Sequence, residues 1–172
     1  MAAFRTGWRN VRGVGQPTVI CNLFEGRSGN RAAEGHNGIS MIIGSGIDLV
    51  EIHRIQSSVD RFGARFLNKV FTAGEQAYCL RKRNSAESLA ARFAAKEAGA
   101  KALGTGISRG VTWLEIEVVR EAGGRPVLRF HGRAAEMARR LNAKHAALSI
   151  SHTKELAMAS VVLESGAGDP AV

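Results

Sequence analysis

Arg92-Phe-Ala-Ala-Lys-Glu-Ala-Gly-Ala-Lys-Ala-Leu-Gly-Thr-Gly106 is the stretch whose reading decides the fold. Alanine and leucine are strong helix formers, and a glycine directly after the last apolar residue is a common helix stop. The pattern predicts the second half of a long helix that begins near Ser85 or Ala86 and stops at Gly104, with only Gly99 weakening its interior. At about 100° per residue, Leu89, Phe93, Ala100 and Leu103 fall on one face, and Ala90, Ala91, Ala94, Ala95, Ala98 and Ala102 on the opposite one. A helix that is apolar or small all round is usually buried, and small side chains let other backbones come close.

Four charges interrupt this apolar setting. Glu97 and Lys101 lie one turn apart on one edge, and Arg92 and Lys96 one turn apart on another. Unpaired buried charge is unfavourable, so these groups meet partners or line a cleft. One reading of Glu97 and Lys101 is an ordinary exposed helix pair, worth about 0.2–0.5 kcal/mol. The other notes that three cations beside one carboxylate, followed by Gly104-Thr105-Gly106, suit a polyphosphate with a divalent cation. Magnesium is typically held by one or two carboxylates plus substrate phosphates. That second reading requires another carboxylate from elsewhere in the chain.

A chain of 172 residues is long enough for one domain with a real core, and 45% hydrophobic with 23% charged residues reads as globular. No apolar run approaches the roughly 18 residues of a membrane span. The formal net charge of +9 favours an anionic partner, whether nucleic acid, anionic lipid, a phosphorylated ligand or an acidic protein. The two cysteines, Cys21 and Cys79, have neither CxxC nor zinc-type spacing, which places the chain in a reducing cytoplasm without a structural metal.

Residues 1–40 hold five Arg against two Glu and no clear periodicity, and are expected to be a dispensable, poorly ordered extension before Met41. Met41 to Ile47 reads as a short buried strand whose glycines allow close backbone approach. Asp48 follows. With Glu51 three residues on and Leu49, Ile52, Ile55 and Val59 at helical spacing, it reads either as a helix cap or as a metal carboxylate at a strand-to-helix junction. Arg61, Arg65 and Lys69 repeat every four residues beside Phe62 and Phe66, a solvated basic face over two core aromatics or a docking surface for an acidic helix. Thr72 and Glu75 form a capping box for a helix running to about Arg83.

Beyond Gly106 the period becomes two. Val111 to Val119 is predicted as a half-buried strand with Leu114, Ile116 and Val118 inward, joined through Gly123-Gly124 to Arg125–Phe130 as a hairpin. Residues 132–144 form a short basic helix with Ala134, Met137, Ala138 and Leu141 inward. Ala146–Ser151 and Leu156–Leu163 are strands around a turn containing His152 and Thr153. His152 is either a satisfied turn histidine, or a phosphate contact or general base. The tail after Glu164 is expected to fray.

Gly46-Ile-Asp-Leu-Val-Glu-Ile-His-Arg54, Phe71-Thr-Ala-Gly-Glu75, Arg92-Phe-Ala-Ala-Lys-Glu-Ala98 through Lys101-Ala-Leu-Gly-Thr-Gly106, and Ser149-Ile-Ser-His-Thr153 stand in order over Met41 to about Glu164. This set resembles the holo-acyl-carrier-protein synthase family of phosphopantetheinyl transferases. The resemblance implies an α+β fold with an antiparallel sheet and a long central helix. It also implies a homotrimer with active sites in the clefts between subunits. The implied reaction moves phosphopantetheine from coenzyme A to a serine of an acidic acyl carrier protein, for fatty acid biosynthesis, and adenosine bisphosphate leaves. By matching motif, Asp48 and Glu97 resemble the magnesium ligands, which supplies the missing second carboxylate. Lys101 resembles the cation on the coenzyme A diphosphate. Arg92, His152 and Thr153 fall where the family contacts nucleotide phosphates, and Gly104, Thr105 and Gly106 where its loop borders the nucleotide. Arg54 resembles the residue that meets the carrier protein. Glu97, Lys101 and His152 are thus the catalytic candidates. The base is either a group near Asp48 (a carboxylate or water on the ion) or His152. The forty leading residues have no counterpart in the resemblance, and Leu156 stands where the family often has tyrosine. The competing reading is a non-enzymatic binder of nucleic acid or an anionic surface, which would leave the carboxylates and Gly-Thr-Gly idle.

Overall fold

A computed structural model describes residues 18–20, 40–107 and 110–166. In chain order the elements are β1 (Thr18–Ile20), β2 (Ile42–Glu51), α1 (Ile52–Phe62), α2 (Ala64–Val70), α3 (Ala73–Cys79), α4 (Ser85–Ala102), a 3₁₀ turn (Trp113–Glu115), β3 (Ile116–Arg120), β4 (Pro126–Phe130), α5 (Gly132–Arg140), β5 (Ala143–His152) and β6 (Leu156–Ser165). Strands β1-β5-β6-β2 form one antiparallel sheet, and β3 with β4 a separate hairpin. The architecture is the expected α+β one, with α4 as its centre.

Helix α4 packs against β2, β6, β5 and β3. The absence of side chains on the strand facing it is what lets it come so close. A Cβ at Gly44 would lie 2.3 Å from the Ala102 carbonyl oxygen, and one at Gly46 would lie 2.1 Å from that of Ala98. Ala90, Ala94, Ala95, Ala98 and Ala100 are fully buried on this helix. Gly99, expected only as a weak point, makes room for the hairpin: a Cβ there would come within 3.1 Å of Leu128 and 3.2 Å of Ile116. The helix ends in a Schellman motif, in which the Gly104 amide donates to the Lys101 carbonyl and the Thr105 amide to that of Ala100. Gly104 takes the left-handed conformation this requires, at φ 73°.

A second device ties α3 and the hairpin to α4. Thr72 and Glu75 form the expected capping box on α3. Glu75 is also buried and bonds Lys96 at 2.7 Å, both side chains being fully out of solvent. The Lys96 ammonium donates as well to the carbonyls of Trp113 and Ile116, and Glu75 accepts from the Val118 amide. Lys96 therefore does not belong among the phosphate-facing cations. Burial pulls its pKa down, and the Glu75 charge works against that shift.

Several expectations are corrected. Strand β2 does not stop at Ile47 but runs to Glu51, because nearly every residue pairs with β6. Asp48 is therefore a strand residue facing α4 and not a helix cap; α1 starts at Ile52 without a side-chain cap. Leu49 points to the opposite sheet face and is exposed. Trp113–Glu115 form a 3₁₀ turn instead of a strand, and Leu114 is exposed rather than inward. The β4 partner pairs only as far back as Ile116, and Lys96 takes the carbonyl of Trp113. Helix α3 ends at Cys79, short of Arg83, and α5 at Arg140, short of residue 144. Gly63, at φ 51°, separates α1 from α2, leaving Phe62 exposed while Phe66 packs edge-on to buried Phe71. Within the leading forty residues, β1 pairs with the end of β5. The expectation for the rest of residues 1–39, and that for residues 167–172, lies outside the described residues.

Gly46→Ala tests the close approach. A methyl group cannot fit 2.1 Å from a backbone oxygen, so β2 must move off α4. Overpacking of this kind costs about 1–3 kcal/mol. Chemical denaturation should show a loss of that size, together with loss of whatever activity depends on Asp48. An unchanged midpoint would contradict the packing described.

Candidate active site

Asp48 and Gly46 lie on the same face of β2, the one that meets α4, because side chains alternate along a strand. That register brings Asp48 to the last turn of α4, where its Oδ1 accepts a hydrogen bond from the Lys101 ammonium at 2.8 Å. Lys101 also donates to the Ile47 carbonyl at 2.9 Å. The Asp48 side chain is 16% exposed and that of Lys101 49%, so the pair opens to solvent through the lysine. Glu97 is one helical turn before Lys101, which sets their Cβ atoms roughly 5–6 Å apart. Its Oε1 accepts the Trp113 indole N–H at 2.8 Å. Asp48, from a distant part of the sequence, thus meets the lysine that follows Glu97 by one helical turn.

The donor set suits a hard cation with open positions. Among the described residues no group of three His, Cys, Asp or Glu side chains is placed to hold a metal alone. Two carboxylates are what magnesium takes when substrate phosphates complete its shell. Asp48 and Glu97 therefore fit the ion, provided that Lys101 gives up Asp48.

The remaining site residues gather elsewhere. Arg92 and Lys101 are nine residues apart on α4, about 13.5 Å along its axis. Arg92 is buried, its guanidinium 4.2 Å from the centre of the Tyr78 ring, and its Nε has no hydrogen-bond partner. Arg120 and Lys82 lie over the same ring at 5.2 and 4.8 Å. His152 closes β5 on the α4 face, in register with Ala157 and, through it, Val50. Arg92, Arg120, Tyr78 and His152 line one cavity of about 110 Å³. No local motif marks Tyr78 and Arg120, and only the folding of α3 and β3 against α4 brings them to this cavity.

Thr153 is occupied as a turn former, its hydroxyl accepting from the amides of Glu155 and Leu156. Thr105 is buried with its hydroxyl on the Ala100 carbonyl, between exposed Gly104 and half-buried Gly106. Arg54 is exposed on α1. One chain therefore holds a carboxylate–ammonium cluster at one end of α4 and a cationic pocket nearer the other.

Comparison with known proteins gives these clusters a context. Residues 44–159 match the model of the 4'-phosphopantetheinyl transferase superfamily. The chain is 56% identical over 124 residues to a holo-[acyl-carrier-protein] synthase of Koribacter versatilis, covering 72% of this chain and 99% of that one. It is 52% identical over 125 residues to one of Solibacter usitatus, covering 73% and 100%. Among solved structures, the Bacillus anthracis holo-(acyl-carrier-protein) synthase in complex with CoA (3',5'-ADP) superposes with a TM-score of 0.61 at 39% identity, over 73% of this chain and 99% of that one. The Neisseria meningitidis enzyme gives 0.67 at 33%, over 73% and 100%. The alternative of a non-enzymatic basic binder is not supported by these relatives, and the matched span holds Asp48, Arg92, Glu97, Lys101 and His152. The chain belongs to the 4'-phosphopantetheinyl transferase superfamily.

Proposed function

We propose that the protein is a holo-acyl-carrier-protein synthase, transferring 4'-phosphopantetheine from coenzyme A to a serine of an apo acyl carrier protein. The observation that carries this is the contact of Asp48 with Lys101, one helical turn after Glu97 on α4, in a chain of this family. The relatives' names, and complexes with CoA in the Bacillus anthracis and Helicobacter pylori structures, support the choice of substrates.

The carrier's serine oxygen forms a bond to the β-phosphorus of coenzyme A. The bond from that phosphorus to the bridging oxygen breaks, and adenosine 3',5'-bisphosphate leaves with the electron pair. Magnesium held by Asp48 and Glu97 would supply Lewis-acid neutralisation of the diphosphate. Lys101 turns from Asp48 to the diphosphate and stabilises the charge that builds there. With its ammonium half exposed, Lys101 gains only about 1 kcal/mol from the carboxylate, and a doubly charged diphosphate competes for it. Arg92, with its free buried Nε, and His152 hold a nucleotide phosphate, while Gly104, Thr105 and Gly106 border the nucleotide. The serine proton passes to a carboxylate or a water near Asp48, with His152 the alternative acceptor. Arg54, on the exposed face of α1, meets the acidic carrier protein.

The active unit in this proposal is a homotrimer, each site completed by a neighbouring subunit. The sheet face opposite α4 supports it: Ile47 and Leu49 are each 59% exposed there, beside Met158. A cytoplasmic location agrees with Cys79, a buried free thiol whose pKa burial pushes up to about 11. No helix among the described residues is long and apolar enough to cross a membrane. Residues 41–164 carry the activity, since the family match begins at residue 44.

Incubation with coenzyme A, Mg²⁺ and apo carrier protein, followed by mass spectrometry of the carrier, tests the reaction. The carrier should gain one phosphopantetheine; no gain on a competent carrier rejects the proposal. Asp48→Asn and Glu97→Gln should each lower kcat/KM by more than about 100-fold, since each removes charge stabilisation worth several kcal/mol. Near-normal rates would refute the ligand assignment. Arg54→Glu should raise KM for the carrier alone. His152→Ala should raise KM for coenzyme A if it binds phosphate, and lower kcat if it is the base. Light scattering of the active protein should read three copies, and an active monomer would remove the trimer from the account.

A further inference from the structure

We propose that Trp113 is the positioning residue for Glu97, holding one carboxylate oxygen so that the other alone is offered to the ion. The inference rests on the assignment of Glu97 as a metal ligand made above. The indole N–H of Trp113 donates to Glu97 Oε1 at 2.8 Å, and among the described residues Oε2 has no hydrogen-bond partner. An indole nitrogen is a donor only. It cannot ligate a cation, so it can hold Glu97 without competing for the ion, and the acceptor it uses is Glu97 Oε1.

The ring is well fixed for this task. The Trp113 carbonyl accepts from Lys96 at 2.8 Å, and Lys96 is clamped between Glu75 and the Ile116 carbonyl in a fully buried network. The 3₁₀ turn that carries Trp113 is closed by the capping box between Thr112 and Glu115. The ring itself lies 6.1 Å from that of Phe93, and the Lys69 ammonium stands 5.9 Å from its centre. Backbone and ring are thus both held before any ligand arrives. The path from the buried pair to the site runs Glu75, Lys96, Trp113, Glu97. It gives the 3₁₀ turn a role that a strand residue, standing on the hairpin ladder, would not fill. Glu97 ligation is monodentate in this account, leaving room for the diphosphate.

Trp113→Phe keeps the ring and removes the N–H. Mn²⁺ binding, followed by electron paramagnetic resonance with coenzyme A present and no carrier, is the readout. Loss of an outer-shell partner typically weakens metal binding by about 10–100-fold. The Mn²⁺ dissociation constant of Trp113→Phe should rise by that factor, with melting temperature and metal-free coenzyme A affinity unchanged. Unchanged Mn²⁺ affinity in a folded variant overturns the proposal. Glu97→Gln is the parallel arm. If it loses Mn²⁺ affinity while Trp113→Phe retains it, the positioning role fails and the ligand assignment stands. If Glu97→Gln binds Mn²⁺ like wild type, both fall. Should Trp113→Phe not fold, the ¹⁵N-labelled wild-type indole N–H serves, assigned with Trp8→Phe. It should remain protected from solvent exchange when Mg²⁺ and coenzyme A are added, and rapid exchange in that state would overturn the proposal.

Discussion

The backbone of α4 rests directly on β2, and the rest of the molecule is arranged by that contact. Two glycines make it possible. At Gly44 and Gly46 even a methyl group would overlap a carbonyl oxygen of the helix. Protein interiors are packed densely enough that an atom of this size cannot be absorbed without moving a whole element. The helix answers with alanines on the face it turns to the sheet, so both partners are stripped to backbone and small groups. Because the strand is seated this closely, the residue two positions past Gly46 stands against the last turn of the helix. That residue is Asp48, and the group it meets is Lys101.

The same helix carries two lysines five residues apart whose surroundings give them different work. Lys96 has no exposure, a carboxylate partner and two carbonyl acceptors. Every proton of its ammonium is used, which is the condition under which a buried ion pair is tolerated at all. It fastens α3, the 3₁₀ turn and β3 to the helix. Lys101 is half-exposed and shares its charge with one carboxylate and one carbonyl. In the proposed reaction its partner is exchanged for a phosphate. Glu97, between them, is linked to the rigid group through Trp113 and to the adaptable group by the helix itself. The proposed site thus combines a buried, fully bonded lysine with a half-exposed one.

Much of this was legible from local pattern, and the failures share a cause. The alanine-rich helix, its glycine stop and the capping box at Thr72 all express short-range chemistry and appear where expected, while the glycine-marked strand begins where expected but runs four residues further, to Glu51. Asp48 reads either as a helix cap, because Glu51 follows at the capping distance, or as a metal carboxylate, and the cap reading fails. Pairing with β6, more than a hundred residues away, instead keeps the chain extended to Glu51. Lys96 looked like one of three phosphate cations, since nothing near it in sequence shows that Glu75 folds back to neutralise it. Trp113 looked like a strand residue, because the alternation through Leu114, Ile116 and Val118 is real but begins to count only at Ile116. Gly99 looked like a defect and turns out to be clearance for Leu128 and Ile116. Tyr78 and Arg120 carry no motif and join Arg92 only through packing. The resemblance motifs join Asp48 to Lys101, a contact that the structure contains and that periodicity within one segment does not indicate.

The β2–α4 contact seats Asp48 against the helix that carries Glu97, and the decisive question is whether the two carboxylates share one ion. A crystal grown with coenzyme A and Mn²⁺, examined for anomalous scattering from the metal, measures this directly. The predicted result is a single peak per site, about 2.1 Å from one oxygen of Asp48 and one of Glu97, with Lys101 released onto the diphosphate. A peak coordinated by neither carboxylate, or Lys101 still closed on Asp48 with coenzyme A bound, would contradict it.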